Sequence, residues 1–258
     1  MKMYIVDAFA ERVFTGNPAA VCYLTEWPED AVMQKIAVEN NLSETAFIVK
    51  EGGQYHIRWF TPRYEIDLCG HATLASAFVL HNFVDPDASA ISFCSQSGDL
   101  SVTCKDGVYT LDFPSRPAGP AELPAGLEAA LGVPIQALYL SRDLMAVVED
   151  EASVRQARPD FARLVDLPVG DGVIVTAPGT DCDFVSRCFY PKCGVNEDPV
   201  TGSAHCNLIP YWSKRLGKTE LLAKQLSARG GTLYCRDAGD RVLIGGTAAL
   251  YAVSDVYI

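Results

Sequence analysis

Ile57-Arg-Trp-Phe-Thr-Pro62 and Ser186-Arg-Cys-Phe-Tyr-Pro191 decide how this chain is organised. Arg58, Phe60 and Pro62 return as Arg187, Phe189 and Pro191, an offset of 129 positions. Each copy then runs into a turn of small residues, Leu68-Cys-Gly-His-Ala-Thr73 in the first and Asp198-Pro-Val-Thr-Gly-Ser-Ala-His205 in the second. Gly70 and Ala72 answer Gly202 and Ala204 at an offset of 132, and Ser95 and Gly98 answer Ser227 and Gly230 at the same offset. Cys104 and Asp106 answer Cys235 and Asp237 at 131. A nearly constant offset over so long a stretch marks two copies of one α/β unit. Two copies imply a cleft between them in which a ligand binds.

The rest of the composition narrows the function. The 258 residues are 49% hydrophobic, enough for one large core or two smaller ones. A net charge of -11 argues against nucleic-acid partners and against an anionic membrane surface. No apolar run approaches the roughly 20 residues of a membrane-spanning helix. The nine cysteines are odd in number, form no Cys-x-x-Cys pair, and follow no secretory leader, which predicts reduced thiols and a cytoplasmic location.

The segment 116–126, within a run holding four prolines and two glycines, reads as a connector between a first copy at 1–115 and a second at 127–258. The final strands of the second copy are free to pack on the first half. In the first copy the apolar pattern predicts strands at 4–9, 20–24, 46–50, 55–60, 91–94, 100–104 and 108–113, with helices at 29–40 and 71–83. In the second it predicts helices at 152–165 and 202–216, the latter stopped by Gly217 and kinked at Pro210, and strands at 172–177, 184–189, 232–235, 242–244 and 248–258.

The two small-residue turns each stand between a strand and a helix. A helix start presents unpaired N–H groups and a partial positive charge, which suits a carboxylate or a phosphate. Gly70, His71 and Ala72 form one such start, and Gly202, Ser203 and Ala204 the other. Glu44, in Leu42-Ser-Glu-Thr45, sits at the mouth of a strand. His71 opens a helix, where the dipole is expected to lower its pKa and keep the imidazole neutral. Asp198 precedes a proline and Ser203 is placed as an N-cap, so both also read as ordinary turn residues. Cys69 lies beside a helix start, a place that can make a thiol reactive, although a cysteine at an apolar strand end is more often a small buried hydrophobe. The histidines and cysteines show no metal-ligand spacing, and no glycine-rich phosphate loop is present, so neither a metal nor a nucleotide cofactor is expected.

Five ordered motifs carry a specific likeness. Phe14-Thr-Gly-Asn-Pro-Ala-Ala-Val21, Asn41-Leu-Ser-Glu-Thr-Ala-Phe47, Arg58-Trp-Phe-Thr-Pro62, Leu68-Cys-Gly-His-Ala-Thr-Leu74 and Gly194-Val-Asn-Glu-Asp-Pro-Val-Thr-Gly-Ser-Ala-His205 together resemble the PhzF family of phenazine-biosynthesis isomerase-like proteins. The resemblance implies a diaminopimelate-epimerase-like fold of mixed α+β and α/β character: two pseudo-symmetric halves, each a curved, mostly antiparallel sheet around a central helix. It also implies a homodimer, no cofactor, and a small carboxylate-bearing substrate.

By the same resemblance Glu44 is the general acid/base. His71, Asp198 and Ser203 orient substrate and relay protons. Gly70, Ala72 and Gly202 hold the substrate carboxylate, and Asn17 lines the site. Cys69 occupies a position resembling one of the paired bases of related racemases, but the equivalent stretch of the second copy has no thiol. Directional isomerisation by Glu44 therefore leads. An epimerase or dehydratase using Cys69, and a non-catalytic metabolite-binding homologue, stand as alternatives.

Overall fold

Four consecutive buried residues, Ala46-Phe-Ile-Val49, show what the apolar runs of this chain do. A strand buried on both faces belongs inside a sheet that is covered on each side. The computed structural model describes residues 1–258. It divides into one unit of Met1–Asp112 with Gly245–Ile258 and another of Phe113–Ile244.

In the first unit β1 (Lys2–Ala8) pairs antiparallel with β2 (Asn17–Leu24), and β2 runs parallel to β3 (Glu44–Glu51) after the crossover helix α1 (Asp30–Asn40). Next, β3 pairs antiparallel with β4 (Gln54–Phe60), which takes the short β5 (Glu65–Ile66) antiparallel. Helix α2 (Gly70–Phe83) then carries the chain to β6 (Ala90–Ser95), parallel to β4. Antiparallel β7 (Gly98–Lys105) and β8 (Val108–Pro114) follow.

The second unit repeats the succession. After β9 (Gly119–Pro120) and α3 (Leu127–Leu131), β10 (Ala137–Leu140) pairs antiparallel with β11 (Leu144–Val147). Beyond α4 (Glu151–Gln156) and α5 (Phe161–Val165), β12 (Val173–Pro178) lies parallel to β11 and antiparallel to β13 (Phe184–Tyr190). The short β14 (Val195–Asp198) leads into α6 (Gly202–Leu216), and β15 (Glu220–Gln225) returns parallel to β13 and antiparallel to β16 (Gly231–Asp237). β17 (Arg241–Gly246) passes the chain back, and β18 (Ala248–Asp255) pairs antiparallel with β1. Both parallel steps in each unit use a helical crossover, as parallel pairing requires. Two copies of one α/β unit, each wound on a helix, are the diaminopimelate-epimerase-like architecture.

The crossover helices pack one face on the strands: Met33, Ile36 and Ala37 of α1 meet Ala20, Cys22, Phe47 and Phe60. Helix α2 is instead buried nearly all round, from Gly70 to Leu80 with Phe78 alone part-exposed, as a helix without polar flanks must be. The 152–165 stretch is two short helices rather than one. Pro159 lacks a backbone donor and turns Arg158 away from helical geometry, and Asp150 and Asp160 then cap the two pieces by accepting from the Ser153 and Arg163 amides. The proline-rich segment 116–126 is no bare linker, since Gly119–Pro120 pair with Tyr139 and Leu140. No helix is long and apolar enough to cross a membrane.

The duplicated arginines have the same structural task twice. Arg58 forks both oxygens of Glu65 at 2.7 Å and lies over the Phe60 ring, while Arg187 forks Glu197 at 2.7 and 2.9 Å and lies over Phe189. A bidentate guanidinium–carboxylate pair fixes both partners in one plane. Each fork pins the short strand that delivers the chain to a central helix.

Candidate active site

The first unit brings four of the predicted residues to one point. Gly16 makes this possible, because its φ of +66° is a left-handed conformation and a side chain there would collide with the Ala8 carbonyl. The tight turn sets Asn17 at the head of β2, fully buried. β2 runs alongside β3 with Ala19 opposite Glu44, and α2 begins with Gly70 and His71. His71 Nε2 lies 3.0 Å from Glu44 Oε2, and its Nδ1 lies 3.2 Å from Asn17 Nδ2 and 3.5 Å from Cys69 Sγ.

The close Glu44–His71 contact is out of line for a well-directed hydrogen bond, and neither atom has another partner. Catalytic pairs are often poorly aligned before substrate arrives. Asn17 Nδ2 faces the same Nδ1, a contact that is a hydrogen bond only while the ring is neutral with its proton on Nε2, facing Glu44.

The helix start was expected to hold His71 neutral, and its neighbours reverse that. Burial opposes charge on the ring, but Cys69 and Glu44 on its two edges outweigh it, and the imidazole is held well above its ordinary value. The Glu44 carboxylate is the partner that carries this effect, because Cys69 is itself uncharged near neutral pH: burial, with the Glu44 charge behind it, raises the thiol. Cys69 is therefore a protonated group, poorly suited to act as a resting base.

Glu44, Cys69 and His71 also form a cluster of possible metal-ligand types that spacing along the chain does not reveal, their ligand atoms lying within 4.8 Å of one another. The glutamate faces Nε2 and the thiol faces Nδ1. The glutamate and the thiol thus stand at opposite edges of the ring. The arrangement is a line along which a proton can move.

The second unit puts other chemistry at its helix start. Asp198 Oδ2 accepts from Thr201 Oγ1 at 2.6 Å, and Gln225 braces the same turn by accepting from the Thr201 amide and donating to the Asp198 carbonyl. Ser203 Oγ takes a hydrogen bond from Arg142 Nη2 at 3.1 Å. The same Nη2 donates to Asp143 Oδ2 at 3.1 Å, as does the Tyr190 hydroxyl. Asp143 is 1% exposed. Burial and the acidic neighbours drive Tyr190 well above its ordinary value, so the phenol is a fixed donor.

Strand register explains why the second unit has no counterpart of Glu44. Phe47 sits opposite Arg58 in the first unit and Val175 opposite Arg187 in the second, so counting back three residues matches Glu44 with Gly172. A Cβ on Gly172 would run into the Tyr190 ring and come within 2.8 Å of the Phe189 carbonyl. The ring of Tyr190 fills the place of the acid.

Histidine fares differently here too. His205, one turn into α6, has Nδ1 2.8 Å from the Thr201 carbonyl and no partner on Nε2, and burial pushes it down to about 4. A separate half-open groove of about 550 Å³, lined by Pro117, Pro120, Tyr139, Tyr211 and Lys214, shares no residue with either helix start.

The family model for phenazine biosynthesis-like proteins matches residues 6–253. An uncharacterized isomerase of Pseudomonas aeruginosa is 50% identical, the match covering 100% of this chain and 99% of that protein. The chain belongs to the PhzF family. A solved PhzF-family structure from Enterococcus faecalis is 57% identical with a TM-score of 0.98, over 100% of this chain and 99% of the other. A hydroxyproline epimerase from Agrobacterium vitis, 11% identical over 98% of this chain and 91% of the other with a TM-score of 0.61, shares the fold alone.

Within this PhzF-family chain, Asn17, Glu44, Cys69 and His71 converge in the first unit, with the helix start at Gly70 and Ala72 beside them. Asp198, Gly202 and Ser203 are grouped at the start of α6. Sequence reading missed Arg142 and Asp143, which come from the turn before β11, outside any motif; Tyr190, which holds Asp143, stands in the second Arg-x-Phe-x-Pro stretch at the end of β13. It also missed Cys188, which lies opposite Asp198 across the β13–β14 pairing and is raised far above a normal thiol by burial.

Proposed function

We propose that this chain is a cofactor-independent isomerase that moves a proton within a small carboxylate-bearing substrate, with Glu44 and His71 as its acid/base pair. The observation that carries the reading is the 3.0 Å approach of His71 Nε2 to Glu44 Oε2 in a pocket where each side chain is at most 14% exposed. A buried carboxylate beside an imidazole held above its ordinary pKa provides a base and an acid within one contact. Glu44 takes a proton from a carbon made acidic by a neighbouring carboxylate, carbonyl or double bond. The imidazolium offsets the charge that develops and keeps the protonated glutamate oriented for return of the proton at another carbon. Isomerase is also the class in which the Pseudomonas aeruginosa relative is named.

Asp198 and Ser203 enter as substrate-orienting groups on the strength of the family motif that they complete. An epimerase using Cys69 has one observation behind it, the 3.5 Å separation of its Sγ from His71 Nδ1. A thiol raised by burial weakens that route.

The test is carbon-bound deuterium uptake. A set of small unsaturated, hydroxy and amino acids is incubated in heavy water with the wild-type chain, Glu44→Gln and Cys69→Ser, and followed by NMR. Loss of a general acid/base is expected to slow uptake by roughly 100- to 10,000-fold in Glu44→Gln, with Cys69→Ser near wild type. Equal uptake by wild type and Glu44→Gln would sink the proposal, and loss confined to Cys69→Ser would move the chemistry to the thiol. Binding without exchange in any variant would make the chain a metabolite-binding protein.

A further inference from the structure

The turn before β11 brings an arginine to the start of α6, as the turn before β2 brings Asn17 to the start of α2, although by strand register Arg142 falls one residue past the counterpart of Asn17. Asn17 leads β2 to its place beside Glu44 and touches His71, the second residue of α2. Arg142 leads β11 to its place beside β12 and touches Ser203, the second residue of α6. His71 and Ser203 correspond at the 132-residue offset that relates the two turns. One unit therefore sets an amide against an imidazole, and the other sets a guanidinium against a hydroxyl.

The guanidinium is pinned at one end and open at the other. Its Nη2 is fixed by Asp143, whose side chain is 2% exposed and is held in turn by the Tyr190 hydroxyl. Asp143 Oδ1 has no hydrogen-bond partner, so the Arg142 charge is what this buried carboxylate relies on. The guanidinium also meets the Tyr190 hydroxyl, Nε is 4.0 Å from Asp171, and the side chain as a whole is 40% exposed. The other Nη2 bond goes to a hydroxyl, a weaker acceptor than a carboxylate. Helix α6 begins at Gly202 with no acidic residue in its first turn and no side-chain cap, so its first amides add to the positive potential.

We propose that Arg142 recognises the carboxylate of a small acid, one carboxylate oxygen replacing the Ser203 hydroxyl on Nη2 and the other taking Nη1. Anion recognition by Arg142 does not rest on the isomerase reading above. Asp143 and Tyr190 are positioning residues: they hold the fork in its plane and leave its outer edge free. The ligand class is then an acid whose carboxylate is planar and unhindered, and Lys at this position does not substitute, because an ammonium cannot give the paired geometry.

The full chain labelled with nitrogen-15 is titrated with acetate, with sulfate as the non-planar comparison, following the Ser203 and Ala204 amide signals. Acetate is expected to move both signals, with an affinity weakened roughly 10- to 100-fold in Arg142→Gln. Because Arg142→Gln strands the buried Asp143 charge, the double variant Arg142→Gln/Asp143→Asn is measured beside it. Arg142→Lys, which keeps a cation next to Asp143, is expected to lose most of the preference for acetate over sulfate. Glu44→Gln is expected to bind acetate as the wild type does, whatever its effect on proton exchange, so the two proposals can fail separately. Unmoved Ser203 and Ala204 signals, or wild-type acetate affinity in the double variant, overturn the assignment.

Discussion

At the head of α2 the second helical residue is His71, 3.0 Å from Glu44. At the head of α6 it is Ser203, 3.1 Å from Arg142. Strand order, helical crossovers and the Arg-x-Phe-x-Pro clamps are repeated in the two units, with one crossover helix of the first replaced by two short ones in the second, and the chemical difference lies in a few side chains at the helix starts. Duplication thus preserves the parts that place a helix N-terminus at the end of a strand. It leaves the groups presented there free to diverge, one set toward proton transfer and the other toward holding charge. A sheet register cannot slip by one residue without turning every side chain to the wrong face, whereas a side chain at a helix start answers to no such constraint.

The largest effect that bears on this contrast is the loss of Glu44. Glu44→Gln keeps the shape and removes the base, and it is expected to lower proton exchange at carbon by roughly 100- to 10,000-fold while leaving acetate binding at Arg142 untouched. Parallel loss of both would mean that the two helix starts are not chemically separate.

The two helix histidines come next. His205 is buried with only a carbonyl for company and falls to about 4, whereas His71 is held above its ordinary 6.5 by its acidic neighbour. For His205 the folded pKa is depressed, so the unfolded chain binds the extra proton first, and stability falls as pH drops from about 6.5 towards 4. At about 1.4 kcal/mol per pH unit this amounts to about 3 kcal/mol. For His71 the folded pKa is raised, so its contribution is complete below about 6.5 and is lost as pH climbs through the folded value. His205→Asn preserves a donor towards the Thr201 carbonyl and cannot titrate. Urea unfolding from pH 4.5 to 7.5 is expected to show the acid slope flattened in this variant, and an unchanged slope would remove His205 from the explanation.

Gly172 tests whether the second unit could have kept an acid. Gly172→Ala drives a methyl into the Tyr190 ring and is expected to cost about 1–3 kcal/mol by overpacking. Shrinking the ring in Gly172→Ala/Tyr190→Ser removes the ring clash and leaves only the 2.8 Å approach to the Phe189 carbonyl, so the double-mutant cycle is expected to show coupling by urea denaturation. Additive losses would mean that Tyr190 is not what closes the position.

These same residues mark what could be read along the chain. The repeat was legible because Arg58 and Arg187 each need a phenylalanine to lie over and a proline to end the strand, so the motif keeps its spacing. Glu44, Cys69 and His71 stood in motifs, yet their convergence depended on the parallel β2–β3 register, which no local pattern encodes. Arg142 and Asp143 were invisible for a further reason. The strand that positions them is only Leu-Met-Ala-Val, four buried residues without alternation or turn signals. The broken helix at 152–165 was readable in principle from Pro159, whose effect the apolar spacing of the flanking residues concealed.

The smallest expected difference separates the two clamps themselves. Both arginines fork a glutamate, but Arg187 also donates to the Ala157 carbonyl at 2.9 Å and the Val154 carbonyl at 3.3 Å, the last turn of α4. Arg58 instead reaches Asp30, which is 74% exposed. A surface ion pair of that kind contributes little, while carbonyls at a helix end gain a charged donor that water would otherwise have to replace. The Arg187 side chain is also the more buried, 13% exposed against 23% for Arg58. Lysine retains the charge and loses the fork in both places, so Arg187→Lys is expected to cost about 1 kcal/mol more than Arg58→Lys in urea unfolding. If Arg58→Lys costs as much, the fork to glutamate alone sets the stability of each clamp. The α4 carbonyls would then be well served by water, and the two copies would be equivalent in strength as well as in form.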